Sequence, residues 1–135
     1  MSECAYVGSQ THIYNDTLRN NLTLWNEAIT DTHIKEVLER VNLLSFLSRI
    51  DEQVSDGSFS EGQKQRIGLI RAFLKGCSVV IFDEATANLD HNNATRIEHL
   101  LLSDPNITYI TVTHHLIKEN EPYFDKIIRL GEGTE

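Results

Sequence analysis

One stretch decides the fold of this chain, SFSEGQKQRIGLIRAFLKGCSVVIFDEATANLD from Ser58 to Asp90. Ser60 and Gln63 stand three residues apart, the spacing of a capping box, which predicts that a helix begins there. Apolar residues then recur at helical spacing up to Gly76, a residue that suits the left-handed end of a helix. The free N–H groups and partial positive charge of a helix start favour phosphate oxygens. Gly62, in the first turn, lets the backbone approach a ligand closely.

A strand follows this helix. The run Val79–Phe82 is apolar without alternation, which is typical of a strand covered on both faces of a parallel sheet. Ligands of such sheets bind at the carboxyl ends of the strands, where this strand carries Asp83 and Glu84. One carboxylate at that position can hold Mg²⁺, and a second can polarise an attacking water molecule. We therefore expect chemistry at this end of the strand.

Further strands are predicted on either side of it in the sequence. Residues 4–8 have strand composition and are followed by Gln10, and residues 108–113 run into His114 and His115. Residues 125–130 are predicted to form a final strand. Three of the four predicted strands therefore end near a polar side chain that can act on a ligand.

Helices are predicted from apolar residues at helical spacing. One runs from about Asp31 to Ile50, and either Asp31 or Thr32 is expected to cap its start. Residues 51–57 are polar and are predicted to form a loop. A further helix is predicted over residues 91–103, ended by Asp104 and Pro105.

Composition excludes several classes of function. The 135 residues are enough for one domain with a core, and the net charge of −8, without a basic cluster, argues against unaided nucleic-acid binding. Cys4 and Cys77 match no metal or redox spacing, so a reduced cytosolic setting is expected. No apolar run approaches the length of a membrane span, and no segment is typical of a signal peptide.

The two halves of the opening stretch resemble the nucleotide-binding domain of ATP-binding-cassette (ABC) transporters. Ser-Phe-Ser-Glu-Gly-Gln-Lys-Gln-Arg resembles the signature of that family, and Asp-Glu-Ala-Thr-Ala-Asn-Leu-Asp after an apolar run resembles its Walker B strand and D-loop. The resemblance implies an α/β fold, a partial P-loop NTPase-like (RecA-like) parallel sheet with the ABC helical subdomain. Residues 1–135 would form a partial ABC ATPase domain. Within it, about 11–75 would hold the Q-loop and helical subdomain, and about 76–135 the Walker B, D-loop and H-loop part.

The resemblance also implies a role for each site residue in Mg²⁺-dependent ATP hydrolysis. Asp83, with Gln10, would hold Mg²⁺, and Glu84 would act as the general base. Gln10 and His114 would orient the attacking water and sense the γ-phosphate, and the family fold implies that they meet the two acidic residues at one edge of the sheet. The residues expected to contact the ATP of a partner cassette, or to couple the two sites across the dimer, are Ser60, Gly62, Gln63 and Asp90.

The chain departs from the family in two ways. No G-x-x-x-x-G-K-[ST] phosphate-binding loop (Walker A) occurs in these residues: Gly57 and Gly62 have the glycine spacing, but Gln63 stands where Lys is needed. The chain alone is therefore expected to be inactive or a very weak ATPase. Glu61 replaces the usual Gly of the signature and is expected to point away from the nucleotide.

The implied partners are ATP, a second nucleotide-binding domain and the transmembrane domain of an exporter, at the cytoplasmic face of the cell membrane. The segment Asp16–Leu22 resembles the part of the family that meets the membrane domain, and Asn20–Trp25 resembles exporters of bacteriocin-type peptides. Two alternatives stay open. One is a non-catalytic truncated cassette that supplies its signature in trans, or is a remnant. The other is a metal hydrolase built on Asp83, Glu84 and the histidine pair, although its ligand spacing matches no known site.

Overall fold

The computed structural model describes residues 4–8, 10–86 and 88–131. In chain order, its regular elements are β1 (Cys4–Val7), β2 (Asp16–Thr17), α1 (Leu18–Thr23), α2 (Asp31–Arg40), β3 (Gln53–Val54), α3 (Glu61–Lys75), β4 (Val79–Asp83), α4 (His91–Ser103) and β5 (Thr108–Val112). Short 3-10 helices cover Leu44–Arg49, Asp56–Ser58 and Lys118–Tyr123.

A parallel sheet of three strands forms the base of the fold, in the order β1-β4-β5. Its register places Tyr6 beside Ile81 and Ile81 beside Ile110. The three strands predicted from the sequence near Gln10, Asp83 and His114 are thus confirmed. Because they are parallel, their carboxyl ends lie at one edge of the sheet.

Helices cover only one face of this sheet within the described residues. Val7, Val80 and Phe82 are buried on that face, where α3 packs on β1 and α4 packs on β5. On the opposite face, Tyr6 is 65% exposed and Ile110 is 47% exposed. The expectation that β4 is covered on both faces is therefore wrong here, since no described helix lies over its second face.

The remaining helices pack on α3 and form the second part of the core. The fully buried side chains of this part come from α1, α2, the 3-10 helix after it and α3: Leu18, Leu22, Ile34, Leu38, Phe46, Ile67 and Ile70. A single buried cluster joins them to the covered face of the sheet. The helical spacing of apolar residues in the sequence therefore predicts correctly which face of these helices is buried.

The helix predicted from Asp31 to Ile50 is in fact two pieces. The N-cap is Thr30, whose hydroxyl accepts from the amide of His33 at 3.1 Å, and neither predicted cap is used. The α-helix ends before Asn42, which adopts a left-handed conformation with φ 61°. Asn is one of the few residues other than glycine that visit this conformation, and here its Nδ2 donates to Asn93 Oδ1 at 3.2 Å. A 3-10 helix then begins at Leu44, which is itself 42% exposed.

Two other expectations differ from the structure. Residues 51–57 are not wholly loop, because Gln53–Val54 pairs antiparallel with Asp16–Thr17. Residues 125–130 do not form a strand, although their composition favours one. Ile128 is 69% exposed, and no described strand runs beside this segment in register, so it has no partner for a ladder of hydrogen bonds.

The ends of α3 and α4 agree with the sequence. Gly76 adopts φ 78° and caps the last turn of α3 through bonds to the carbonyls of Ala72 and Phe73. The α4 helix spans the predicted residues 91–103 and stops before Asp104. Across the part of the chain that the structure describes, every helix is too short or too polar to cross a membrane.

Candidate functional site

The acidic pair follows β4 directly and is held there by the backbone of β5. The Glu84 amide donates to the carbonyl of Val112 at 2.9 Å, one residue past the last pair of the ladder. Glu84 adopts φ 56°, a left-handed conformation that costs a residue with a side chain free energy. Such strain is typical of functional positions, where the surrounding structure enforces it.

This backbone conformation brings Glu84 to His114. Glu84 Oε2 lies 3.5 Å from His114 Nε2, close enough for an ion pair when the histidine is protonated, but too far for a good hydrogen bond. The same Oε2 atom is buried and has no hydrogen-bond partner among the described residues. The His114 ring is mostly exposed. The carboxylate oxygen is therefore available to accept a proton or a hydrogen bond from a bound group.

Asp83 sits beside this pair and is held by a residue that the sequence did not single out. The Tyr6 hydroxyl donates a hydrogen bond to Asp83 Oδ2 at 2.5 Å, reaching across from the neighbouring strand. That hydrogen bond raises the pKa of Tyr6 above its usual value, because the bond favours the protonated phenol. The alternation of side chains along β1 and β4 places both residues on the uncovered face of the sheet.

Gln10 and the second histidine are arranged differently from this group. Gln10 is exposed and lines a cleft of about 340 Å³ between β1 and α3, together with Thr11 and Arg71. No hydrogen bond in the described part of the chain joins Gln10 to Asp83 or Glu84. His115 is exposed, and its amide and carbonyl both bond Thr113. The structure thus brings together Glu84 and His114, with Asp83 next to Glu84 in the chain, as the sequence predicts, and the meeting of Gln10 with them stays a prediction.

The signature residues form the capped helix start that the sequence predicts. Ser60 Oγ accepts from the Gln63 amide at 3.1 Å, while Gln63 Oε1 accepts from the Ser60 amide at 2.9 Å. Glu61 points to Lys64, with 3.2 Å between Oε2 and Nζ, and Lys64 also pairs with Asp56. Because both Ser60 and Gln63 are bonded locally, the helix start is formed without any ligand.

Gly62 is close to the chain itself rather than to an open space. A Cβ atom built on Gly62 would lie 2.7 Å from the carbonyl oxygen of Asn88 and 3.3 Å from Leu89 Cδ2. No other residue fits there without a shift of the backbone, because real Cβ atoms do not approach main-chain oxygens so closely. The signature helix and the segment after β4 are therefore packed together through this glycine.

Asp90 caps α4 in the same segment. Its Oδ1 accepts from the Asn93 amide at 2.8 Å and its Oδ2 from Asn93 Nδ2 at 2.7 Å. The Asn93 backbone bond, then the Asn93 side-chain bond, hold the pKa of Asp90 below its usual value, and the charge of Arg66 acts in the same direction. In the described residues, no hydrogen bond or ion pair joins Ser60, Gln63 or Asp90 to the group around Glu84.

The residues present suit Mg²⁺ and a phosphorylated ligand in their chemistry. Carboxylate oxygens are the ligands that Mg²⁺ prefers, and Mg²⁺ commonly takes only one or two of them along with phosphate and water. Asp83 ends β4, and the unpaired Glu84 oxygen lies one residue on. No three described His, Cys, Asp or Glu side chains cluster as a metal site of their own. That finding gives no support to a metal hydrolase built on Asp83, Glu84, His114 and His115.

Comparisons with known proteins identify the family of this chain. The family model described as ABC transporter matches residues 2–87. A probable ABC transporter ATP-binding/permease protein of Haemophilus influenzae is 33% identical over 136 residues, covering 96% of this chain and 24% of that protein. An ATP-dependent lipid A-core flippase of Francisella novicida is 30% identical over 140 residues, covering 98% of this chain and 23% of that protein.

A solved structure supports the fold in particular. The chain superposes on a bacterial Atm1-family ABC exporter with ATP bound, with a TM-score of 0.76, 22% identity and 87% of this chain covered, against 22% of that one. The α/β fold with a partial P-loop NTPase-like sheet is thus confirmed. The chain belongs to the ABC transporter family. It spans about a quarter of the length of the curated relatives it matches.

Proposed function

We propose that this chain is the ATP-binding and ATP-hydrolysing module of an ABC exporter, or part of one, and that it powers transport across a membrane. The observation that carries the proposal is Glu84, whose strained backbone presents an unpaired, buried carboxylate oxygen to His114. A carboxylate oxygen in that position is available to accept the proton of an attacking water, which is the role of a general base. Family membership and the exporter relatives support the same role.

The roles of the residues follow from their positions. Glu84 takes a proton from the attacking water, and His114 orients the Glu84 carboxylate and contacts the transferred phosphoryl group. Asp83 would hold Mg²⁺, which would supply charge neutralisation at the phosphates, and positioning together with such stabilisation accounts for most of the catalysis of phosphoryl transfer. We propose that Gln10, which lines the cleft between β1 and α3, joins this group when nucleotide binds.

A phosphate-binding loop has to come from elsewhere, since these 135 residues contain none. We propose that an upstream segment of an exporter cassette supplies it, and that a second cassette docks on Ser60, Gly62, Gln63 and Asp90. The transmembrane domain of the exporter is the third partner, which would place the chain at the cytoplasmic face of the membrane. A peptide cargo is suggested only by residues 20–25.

Two measurements test this function. Calorimetric titration of the isolated chain with Mg-ATP is expected to show no binding in the micromolar range, because the loop that positions the phosphates is missing.

The second measurement uses this chain joined behind the upstream segment of an exporter cassette, which contains the P-loop. We call this protein the completed cassette, and we expect it to hydrolyse ATP. Glu84→Gln should lower its rate by a factor of about 10²–10⁴, whereas Glu39→Gln, an exposed glutamate on α2, should leave it unchanged. Equal loss in both variants would contradict the role of Glu84.

A second candidate is a module that offers only its signature to a complete cassette in trans. It is supported by the capping box of Ser60 and Gln63, which holds the signature at a well-formed helix start that suits phosphate oxygens. Adding the chain to a complete cassette should then stimulate hydrolysis. Ser60→Asp keeps a capping side chain but places a negative charge at the phosphate, so it should abolish stimulation while leaving α3 folded. If Glu84→Gln leaves the stimulated rate unchanged, the chain acts in trans only.

A further inference from the structure

The signature helix, α3, carries a buried side-chain amide that has no hydrogen-bond partner among the described residues. Gln65 on α3 is 2% exposed, and both its Oε1 and its Nε2 are buried without a hydrogen-bond partner among the described residues. An amide side chain offers two donors and an acceptor with two lone pairs. Burying it unpaired lowers the stability of the fold, so an apolar residue would serve packing better. A glutamine at this buried position is therefore better explained if its amide forms a hydrogen bond when a ligand is bound.

The neighbours of Gln65 on α3 indicate which segment could provide that hydrogen bond. Gln65 lies one turn from Gly62 and one turn from Gly68, so the three share one face of α3. Gly62 is pressed against the main chain of Asn88, as described above, and a Cβ on Gly68 would lie 3.1 Å from Thr11 Oγ1. Helical side chains lean toward the N-terminus, which directs Gln65 toward the Gly62 side. The contact between Gly62 and Asn88, in the segment that follows β4, therefore lies one turn away on the side toward which Gln65 leans.

That segment is itself held in a strained form. Its first residue is Glu84, left-handed and with an unpaired carboxylate oxygen, and Ala85 beside it is buried. Its last residue, Asp90, is fixed as the cap of α4. Two unpaired polar side chains, Gln65 and Glu84, thus belong to the same junction between the signature helix and the end of β4.

We propose that Gln65 is a positioning residue whose amide hydrogen-bonds the main chain of residues 84–86 or 88–90 when the site is loaded with nucleotide. This inference rests on the proposed function. An amide can donate to a carbonyl and accept from an N–H of the same segment, which fixes its orientation as well as its distance. The bond would set Glu84 and Asp90 relative to the start of α3, so that closure over nucleotide and placement of the base occur together.

The first test is the stability of the isolated chain. Gln65→Met has nearly the same length and shape but no group that needs a hydrogen bond. If the amide is unpaired in this state, the variant should raise the thermal midpoint by about 4 °C. An unchanged or lower midpoint would show that the amide is already bonded, for example by a buried water, and would overturn the inference.

The second test is hydrolysis by the completed cassette. Gln65→Met is expected to lower kcat about tenfold with an unchanged KM for ATP, since it removes positioning rather than nucleotide contacts. Leu69→Met, a buried substitution one turn further along the same face, should change neither constant. Equal kcat for wild type and Gln65→Met, or the same loss in Leu69→Met, would overturn the inference alone. An inactive wild-type cassette would instead refute the proposed function, and the inference with it.

Discussion

His114 Nε2 and Glu84 Oε2 lie 3.5 Å apart at the ends of two neighbouring parallel strands. The pair does not come from helical or strand spacing, because thirty residues of sequence separate its members. It forms because β4 and β5 are in register and because Glu84 turns left-handed as it leaves β4. The geometry of this pair is therefore a property of the strand ends, and substitutions at Glu84 separate its chemical role from its backbone role.

Glu84→Gly is expected to stabilise the fold. Glycine adopts φ 56° without steric cost, whereas alanine and glutamate are strained there. The matched control is Glu84→Ala, which removes the same carboxylate but keeps the strain. We expect the free energy of unfolding of the glycine variant to exceed that of the alanine variant by about 1 kcal/mol in urea titrations. Equal stability of the two variants would show that Glu84 is not strained in solution.

Gly62→Ala is expected to destabilise the chain by about 1–3 kcal/mol, as overpacking of a tight contact does. The added methyl would lie 2.7 Å from the Asn88 carbonyl oxygen, so either α3 or the segment after β4 must shift. Gly57→Ala is the control, because nothing lies within 4 Å of the position of its added methyl. Chemical denaturation of both variants measures the difference, and similar small losses would argue against the close contact.

Tyr109→Phe is expected to destabilise the chain by about 1–3 kcal/mol at neutral pH. The Tyr109 hydroxyl donates to Glu98 Oε2 at 2.8 Å, and Glu98 is 3% exposed. Among the described residues, the variant therefore leaves this buried carboxylate with Asn120 as its one remaining side-chain donor. Urea titrations at pH 7 give the size of this loss.

The same pair should show a dependence on alkaline pH. Burial, and next the charge of Glu98, raise the pKa of Tyr109 well above its ordinary value of 10.0. A raised folded pKa stabilises the fold fully below the unfolded value, and this stabilisation is lost as the pH rises above 10. The advantage of wild type over Tyr109→Phe should therefore shrink between pH 10 and 12. An advantage that grows in this range would contradict the assignment.

Self-association through the uncovered sheet face is expected for the isolated chain. Tyr6, Ile110 and Val112 are exposed together on that face, and contiguous apolar surface favours contact between copies. Ile110→Lys should reduce the apparent mass in sedimentation experiments. Leu44→Lys, which also replaces an exposed apolar residue but lies away from the sheet, should not. Monomeric wild type at high concentration would speak against this expectation.

Local sequence patterns predicted those elements of the fold that depend on residues close to each other in the chain. The capping box at Ser60, the glycine end of α3 and the strand leading to Asp83 are all where the pattern predicts them. The break at Asn42 and the pairing of β2 with β3 were missed, because each depends on partners more than ten residues away. The strand expected over 125–130 has the right composition, but a strand needs a neighbour to bond, and composition does not supply one.

The sequence by itself determined which residue types stand at the helix start and at the strand ends, and so it indicated nucleotide chemistry and the family. Only the tertiary structure decided which of these residues meet: Glu84 with His114, Tyr6 with Asp83, and Gly62 with Asn88. It also placed Gln10 on the wall of the cleft between β1 and α3 and left the Gln65 amide without a hydrogen-bond partner in the described part of the chain. The physical reason is the separation along the chain over which each interaction acts. Capping and periodicity act within one turn or one strand, whereas contacts between strand ends follow from register and from backbone conformations that residue types do not dictate.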